Sequence, residues 1–375
     1  MSNTKIAYQL KVARESLGLT LIEAAKRLGF PNYQTLMKIE EGKREVKASE
    51  LSKFSRVYFC SIGKLLGEKE FSLGNVFLWR ELQQVMKKKK IEAEILYRCE
   101  QYHLLEKCLN LKAKKGFIEV SIDDISTNND ISTLAERVSE LLALGSRPAF
   151  TLQKVLEQDY SVKILFYPIP FGSAVSTVNP DYGTVIVINT DEAPWRRNYD
   201  LAHELFHLIT WKAVSLKDLE DQTYFVDIEK KANRFASILL LPGKEVRKEI
   251  TERIETQKQF TYSDLVDIAM EFGVSAQALL YRMANLRFIK WEDADNIAKD
   301  EELAEINKQK RKREWGETPE SERLIFLAIR CLRKGLISRG KFAEVIGIDR
   351  SEIDSYIEKK GLMELEGNRI EIMAS

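Results

Sequence analysis

His203-Glu204-Leu205-Phe206-His207 sets two imidazoles four residues apart with a carboxylate between them, and Glu229 and Asn233 follow about twenty residues on. On an α-helix, side chains four apart stand one above the other, so the two histidines can share one cation while Glu204 reaches a water held beside it. A catalytic zinc takes three protein ligands and keeps one position open, which requires a further oxygen or nitrogen donor from a neighbouring element. Glu229 is placed to be that donor. Tyr224 to Leu241 carries Ile228, Ala232, Phe235, Ala236 and Leu239 at helical spacing with Pro242-Gly243 as a stop, and predicts a second helix. Small Ala232 and Ala236 permit close approach to the first helix. Asn233, one turn beyond Glu229, suits a group that orients a ligand histidine through its far ring nitrogen.

A five-residue match of this kind also occurs by chance on solvated helix faces. Here the context argues otherwise, because Leu201, Ala202, Leu205, Phe206, Leu208 and Ile209 make the helix apolar nearly all round, and burying polar groups there without a purpose is costly. Two of the three histidines of the chain fall in this one turn. The chemistry implied is metal-assisted peptide hydrolysis with Zn2+ as cofactor and Glu204 as general base. A developing oxyanion needs a further donor. His103 lies far upstream in a lysine-rich helical region, which leaves Tyr281 or Arg282 as candidates, each equally able to serve in packing or at the surface.

Three runs, Val162 to Tyr167, Ala174 to Val178 and Thr184 to Asn189, are rich in β-formers and bounded by Gly and Pro. They predict a small sheet in a mostly helical (α+β) central domain, with one strand at an edge where a substrate peptide could add.

The stretch from Asn198 to Ile209, followed by Glu229-x-x-Ala-Asn-Arg-Phe-Ala-Ser-x-Leu-Leu-Leu-Pro242, resembles the ImmA/IrrE metallopeptidase family. Gly183 to Asn189 is similar to the strand before that family's zinc helix, and Ser275 to Arg282 to its closing helix, so the resemblance covers about residues 130 to 290. It implies His203, His207 and Glu229 as zinc ligands and Glu204 as base, in agreement with the reading from spacing. Two positions depart from the pattern. Phe206 stands where a small residue, often glycine, is usual, and Lys231 replaces a frequent acidic residue; both bear on packing and access more than on chemistry.

Leu10 to Thr20, Ala24 to Gly29 and Ile39 to Arg44 resemble the five-helix Cro/repressor type of helix-turn-helix. Thr20 with Glu23 reads as a capping box, Gly29-Phe-Pro-Asn32 as the turn, and Asn32 as the cap of a third helix with Leu36 and Ile39 facing inward. Tyr33, Gln34, Thr35 and Lys38 then point outward, as a recognition helix requires, and Gln34 is chemically suited to adenine. Lys43, Arg44 and Lys47 are candidate phosphate contacts. Residues 1 to 70 hold thirteen Lys and Arg against eight Asp and Glu, net positive by five, in a chain whose net charge is +1. Such a basic module suits double-stranded operator DNA, although the same fold also serves dimerisation or peptide binding.

The expected organisation is an all-α helix-turn-helix domain over 1–70, a helical connector over 71–125, the zinc peptidase domain over 126–290, a charged helix and linker over 291–319, and a small helical unit over 320–375. The connector runs from Leu78 through the solvated Lys87 to Lys90 stretch and from Ile91 to Lys115 at helical spacing, and Ile122 to Ile131 reads as a loop. Lys308 to Arg313 reads as a solvated helix end, and Trp315 to Pro319 as a linker. Ser338 to Ile357 has the rhythm of another helix-turn-helix, but Glu352, Asp354 and Glu358 make it suited to an interaction or dimerisation role. At 375 residues the chain exceeds one typical domain and can bury a substantial core. It shows no signal peptide and no apolar run able to span a bilayer, so a cytoplasmic location with no membrane partner is expected. Cys60, Cys99, Cys108 and Cys331 lack metal or disulfide spacing and read as reduced thiols.

Two functions fit these features. In one, a DNA-binding transcriptional regulator is also a zinc endopeptidase that cleaves a repressor or antitoxin in a stress response. In the other, an antitoxin-like repressor uses its zinc domain to sense a signal or hold a partner without turnover; a homodimer is compatible with either.

Overall fold

The computed structural model describes residues 3–67, 85–112, 116, 118–170, 172–179, 181–214, 221–312, 314, 316 and 319–360. Its order is α1 (Asn3–Ser16), α2 (Leu21–Leu28), α3 (Tyr33–Glu40), α4 (Ala48–Val57), α5 (Ile62–Leu65), α6 (Val85–Cys108), α7 (Asn128–Leu141), α8 (Leu152–Gln158), β1 (Lys163–Tyr167), β2 (Ala174–Asn179) and β3 (Gly183–Asn189). The chain continues through α9 (Pro194–Ile209), α10 (Gln222–Leu240), α11 (Gly243–Gln257), α12 (Tyr262–Glu271), α13 (Ala276–Asn285), α14 (Trp291–Ala298), α15 (Glu301–Arg311), α16 (Glu322–Arg333), α17 (Arg339–Ile346) and α18 (Ile353–Lys359). The fold is mostly helical with one small mixed sheet. Two compact units emerge: Met1–Glu100 with Lys112–Ser321, and Gln101–Leu111 with Glu322–Ser375.

Local signals build the first five helices. Thr20 and Glu23 form a reciprocal capping box at α2, Gly29 closes that helix at φ +74°, and the Asn32 side chain accepts from the Thr35 amide at 3.1 Å to start α3. Leu10, Leu28, Leu36, Ile39 and Phe54 fill the small core between them. Arg14 fastens α1 to α3: its Nε and Nη2 donate to the two Glu40 oxygens at 2.8 and 2.9 Å, and its Nη1 donates to the Leu19 carbonyl at 2.8 Å.

The three predicted strands form one sheet in the order β1-β3-β2, with β1 parallel and β2 antiparallel to β3, so β1 and β2 are its two edges. Ile164, Ile186 and Ile188 join Leu201, Leu205 and Phe206 of α9 in the main core. Asn189 fixes the exit from β3: its Oδ1 accepts from the Ile169 and Asp191 amides, each at 3.1 Å, and its Nδ2 donates to the Ile169 carbonyl at 2.9 Å. Pro194 then opens α9, where its fixed φ suits the first turn and its missing N–H leaves nothing unsatisfied.

Several expectations are corrected. Ile122 to Ile131 is not a plain loop: Asp123–Ile125 make a 3-10 turn, and α7 begins at Asn128 behind a Thr127/Asp130 capping box. Asp, Ser and Thr cap helices as readily as they form turns, and Ile125 and Ile131 are buried. Pro242-Gly243 ends α10 but also starts α11. The connector helix stops at Cys108, and Asn110 follows with φ +51°, so the expected helix is broken there; Ala113 to Lys115 lie outside the described residues. The start of that connector, Leu78 to Gln84, lies outside the described residues, as does Trp315 of the linker; for Val85 to Lys89 the backbone alone is described.

The described part of the next run, Lys308 to Lys312, is also only partly solvated. Arg311 is 1% exposed, lies over the Trp195 ring at 4.3 Å, and donates to the Val274 carbonyl, Asn307 and Glu314. Lys310 donates to Asp267 at 2.6 Å. These two cations bind α15 to α9 and α12, which a count of charge cannot reveal. In the second unit, α16, α17 and α18 pack around Ile325, Ala328, Phe342 and Ile353, and Arg339 makes a bidentate pair with Asp354. All four cysteines are free thiols, with Cys108 alone partly exposed.

Arg14→Ala would strand the buried Glu40 carboxylate, and its expected cost is about 3–5 kcal/mol. Denaturant unfolding of the full chain, followed by a probe in the first five helices, measures it; a change near zero would contradict the role given to the pair.

Candidate metal centre

The apolar stripe of α9 seats it on β2 and β3, and Ala232 and Ala236 of α10, both fully buried, let α10 lie close against it. Phe206 fills the space between them, with Phe235 at 5.5 Å and the edge of the His207 ring at 5.8 Å between centroids. This is the structural role of the first departure from the family pattern. The second, Lys231, pairs with Asp227 one turn earlier at 2.7 Å.

That approach brings the expected ligands together. The Nε2 atoms of His203 and His207 stand 3.0 Å apart, Glu229 Oε2 lies 3.3 Å from His203 Nε2, and Glu229 Oε1 lies 3.1 Å from His207 Nε2. Among the described residues this is the cluster of three His, Cys, Asp or Glu side chains that could hold a metal ion. Donors bound to a tetrahedral zinc at about 2.0–2.2 Å lie about 3.3 Å or slightly more from one another. The observed triangle is close to that spacing, so the donor set fits an ion of zinc's size and chemistry. His203 is fully buried and His207 8% exposed, while the Glu229 side chain keeps 19%, so the centre opens on the side of Glu229 and His207. Burial pushes the Glu229 carboxyl up, but hydrogen bonds and charge from His203 and His207 outweigh it and hold the group well below the usual carboxylate range. Glu229 therefore presents an anion, as a ligand must.

Asn233 Oδ1 lies 3.1 Å from His203 Nδ1, the far nitrogen of that ring. With Nδ1–H donating to Asn233, His203 offers Nε2 as its lone-pair nitrogen. Glu204 is 1% exposed and sits on α9 one residue after His203 and three before His207.

The two oxyanion candidates fare differently. Arg282 is built into the core: it is 7% exposed, its Nε donates to the Leu241 carbonyl at 2.9 Å, and burial pushes its guanidinium down to about 10. Through that bond it ties α13 to the end of α10. Tyr281 stacks on Trp291 at 6.0 Å and 26°, on the wall of a groove that also contains Asn233. Sequence reading missed Tyr199, whose hydroxyl donates to the Asn233 backbone carbonyl at 2.9 Å. Its position four residues before His203 was the available signal.

On α3, Tyr33, Gln34 and Lys38 are exposed, Thr35 is half-buried, and Leu36 and Ile39 face the core. Lys43 is exposed and pairs with Glu41 at 2.8 Å, and Lys47 is exposed at the start of α4. Arg44 is half-buried, donates to Glu50 at 2.8 Å and lies over the Phe30 ring at 5.7 Å, so packing already uses part of its side chain. No helix among the described residues is long and apolar enough to cross a membrane.

The geometry predicts one zinc per chain. His207→Ala or Glu229→Ala should abolish tight binding, and Asn233→Ala should weaken it by about ten- to a hundredfold. Competition with a chromophoric chelator measures all three, and an unchanged affinity in Glu229→Ala would contradict the assignment.

The model of the IrrE N-terminal-like domain, Peptidase_M78, matches residues 158–284, and that of a helix-turn-helix domain matches residues 10–65. Among curated proteins, none matches the sequence. A solved structure described as a Mycobacterium tuberculosis transcriptional regulator aligns at 17% identity and a TM-score of 0.31, over 49% of this chain and 51% of that one. The chain thus spans about half the length of that structure. The matched residues 158–284 enclose the whole cluster of His203, Glu204, His207, Glu229 and Asn233, and the chain carries a helix-turn-helix domain followed by a domain of the IrrE N-terminal-like family.

Proposed function

We propose that this chain is a DNA-binding transcriptional regulator with zinc-dependent endopeptidase activity, which cleaves a repressor or antitoxin in a stress response. The observation that carries the reading is the convergence of His203, His207 and Glu229 within 3.0 to 3.3 Å, beside a buried Glu204 that no ligand role requires. A site serving structure alone fills its fourth position with protein and has no use for such a carboxylate.

His203, His207 and Glu229 would hold the ion. When bound there, zinc polarises a carbonyl and lowers the pKa of a water toward ~7. Glu204 takes the proton from the attacking water on its carboxylate and delivers it to the nitrogen of the leaving amine. Asn233 keeps His203 in the tautomer that presents Nε2 to the centre. Strand β2, a sheet edge next to α9, offers backbone groups along which an extended peptide can lie.

In the same reading, α3 enters the major groove with Gln34 and Lys38, while Lys43 and Lys47 meet phosphates. The domain boundaries of this account are 1–70 for DNA binding and 126–290 for the peptidase.

Two experiments test the halves separately. Glu204→Gln should keep its zinc and lose relief of repression in cells; a Glu204→Gln protein that relieves repression normally would sink the proteolytic half. Gln34→Ala should cost about 1–3 kcal/mol of binding to DNA upstream of the chain's own gene, and Lys38→Ala should lower the salt slope by about one. Binding unchanged in the double variant would sink the DNA half.

A further inference from the structure

The four free cysteines lie outside the candidate metal centre and divide into two kinds. Cys60 and Cys99 are buried, and burial pushes each thiol up to about 12. Thiols so placed are inert. Cys108, the last residue of α6, is partly exposed, and Cys331 on α16 belongs to the same compact unit. The Cys331 thiol donates to the Leu105 carbonyl at 3.6 Å, so its sulfur rests on the last turn of α6. Leu105 lies three residues before Cys108. A helical side chain leans back over the turn N-terminal to its own Cα, which aims the Cys108 sulfur at the turn that Cys331 already touches. Ser and Thr use the same direction when they bond a carbonyl three or four residues back. The surroundings agree: burial pushes the Cys331 thiol up and so does Cys108, while Arg330 and Lys334 pull it down. A thiol pair with one exposed member and two cations beside it is the setting of reactive cysteines.

We propose that Cys108 and Cys331 are a peroxide-responsive pair that closes a disulfide between α6 and α16. Exposure assigns the roles, with Cys108 meeting the oxidant and the buried Cys331 resolving. First, the Cys108 thiolate attacks an oxygen of a hydroperoxide. An S–O bond forms and the O–O bond breaks; the leaving oxygen takes the thiol proton and departs as an alcohol, or as water from hydrogen peroxide. Cys108 is thereby oxidised to its sulfenic acid and the peroxide is reduced. The Cys331 sulfur then attacks the Cys108 sulfur: an S–S bond forms, the S–O bond breaks, and the hydroxide takes the Cys331 proton and leaves as water. A disulfide needs Cβ atoms about 3.5–4.5 Å apart. Cys108 ends its helix just before Asn110 at φ +51°, so closing that distance shifts a helix terminus and leaves the helix interior alone. Nothing in this inference depends on the peptidase reading.

The test exposes the full-length, zinc-loaded chain, freed of reductant, to a small molar excess of hydrogen peroxide, blocks the remaining thiols under denaturing conditions, and maps the linkages by mass spectrometry. The wild-type chain should lose two of its four free thiols, give one Cys108–Cys331 linkage within the chain, and recover all four with dithiothreitol. Cys331→Ser should stop at the Cys108 sulfenic acid, which dimedone traps, and Cys108→Ser should keep every remaining thiol at the same dose. Serine is close to cysteine in size, and an unchanged melting curve of the reduced variants would show that each folds. Four intact thiols after peroxide, a linkage through Cys60 or Cys99, a Cys108–Cys108 bond between chains, or a wild-type sulfenic acid that never becomes a disulfide would each overturn the pair.

Discussion

The close approach of α10 to α9 is the constraint on which the rest depends. Two methyl-sized residues, Ala232 and Ala236, set that distance, and the Phe206 and Phe235 rings lock the helices in place once they meet. A larger side chain at either alanine would push Glu229 away from His203 and His207, and a displacement of an ångström dissolves a ligand set. The sheet acts on the same geometry from the other side, since the Asn189 turn fixes where α9 begins. The centre is thus a product of helix packing, and its polar atoms lie in a core that would otherwise be apolar.

Much of this centre is legible in the sequence because its residues obey helical periodicity at every step. His203 and His207 share a face by spacing alone, the caps at Thr20 and Asn32 follow local rules, and the three strands announce themselves by composition. What is not legible depends on contacts between distant elements. That Arg282 braces α10 could not be read from spacing, because the carbonyl it meets at Leu241 lies forty-one residues away in sequence. Arg311 looks solvated and is buried, since the acceptors and the Trp195 ring that compensate it come from other helices. The α7 start was hidden for a different reason: Thr127 and Asp130 have the composition of a loop and the geometry of a capping box.

Helix α6 touches both the first five helices and the sheet within the first unit. Tyr97 meets Ser55 of α4 at 3.5 Å and the Phe59 ring at 6.5 Å, while Glu94 accepts from Tyr167 at 2.7 Å. Glu100 accepts from Tyr182 at 2.7 Å and pairs with Lys64 of α5. Burial pushes the Tyr167 and Tyr182 hydroxyls up, and their hydrogen bonds to Glu94 and Glu100 push the same way, so both remain donors to those carboxylates. The first five helices and the sheet that positions α9 are therefore both tied to α6 by hydrogen-bonded pairs.

The central claim is that this centre cuts a protein in the cell. New protein N-termini should be compared between cells carrying the wild-type chain and cells carrying Glu204→Gln, with and without DNA damage. Termini that arise with the wild type alone, in a repressor or antitoxin, are the predicted result and would name the substrate. Identical profiles, with zinc bound equally in both proteins, would contradict the account and leave a metal-bearing DNA-binding regulator.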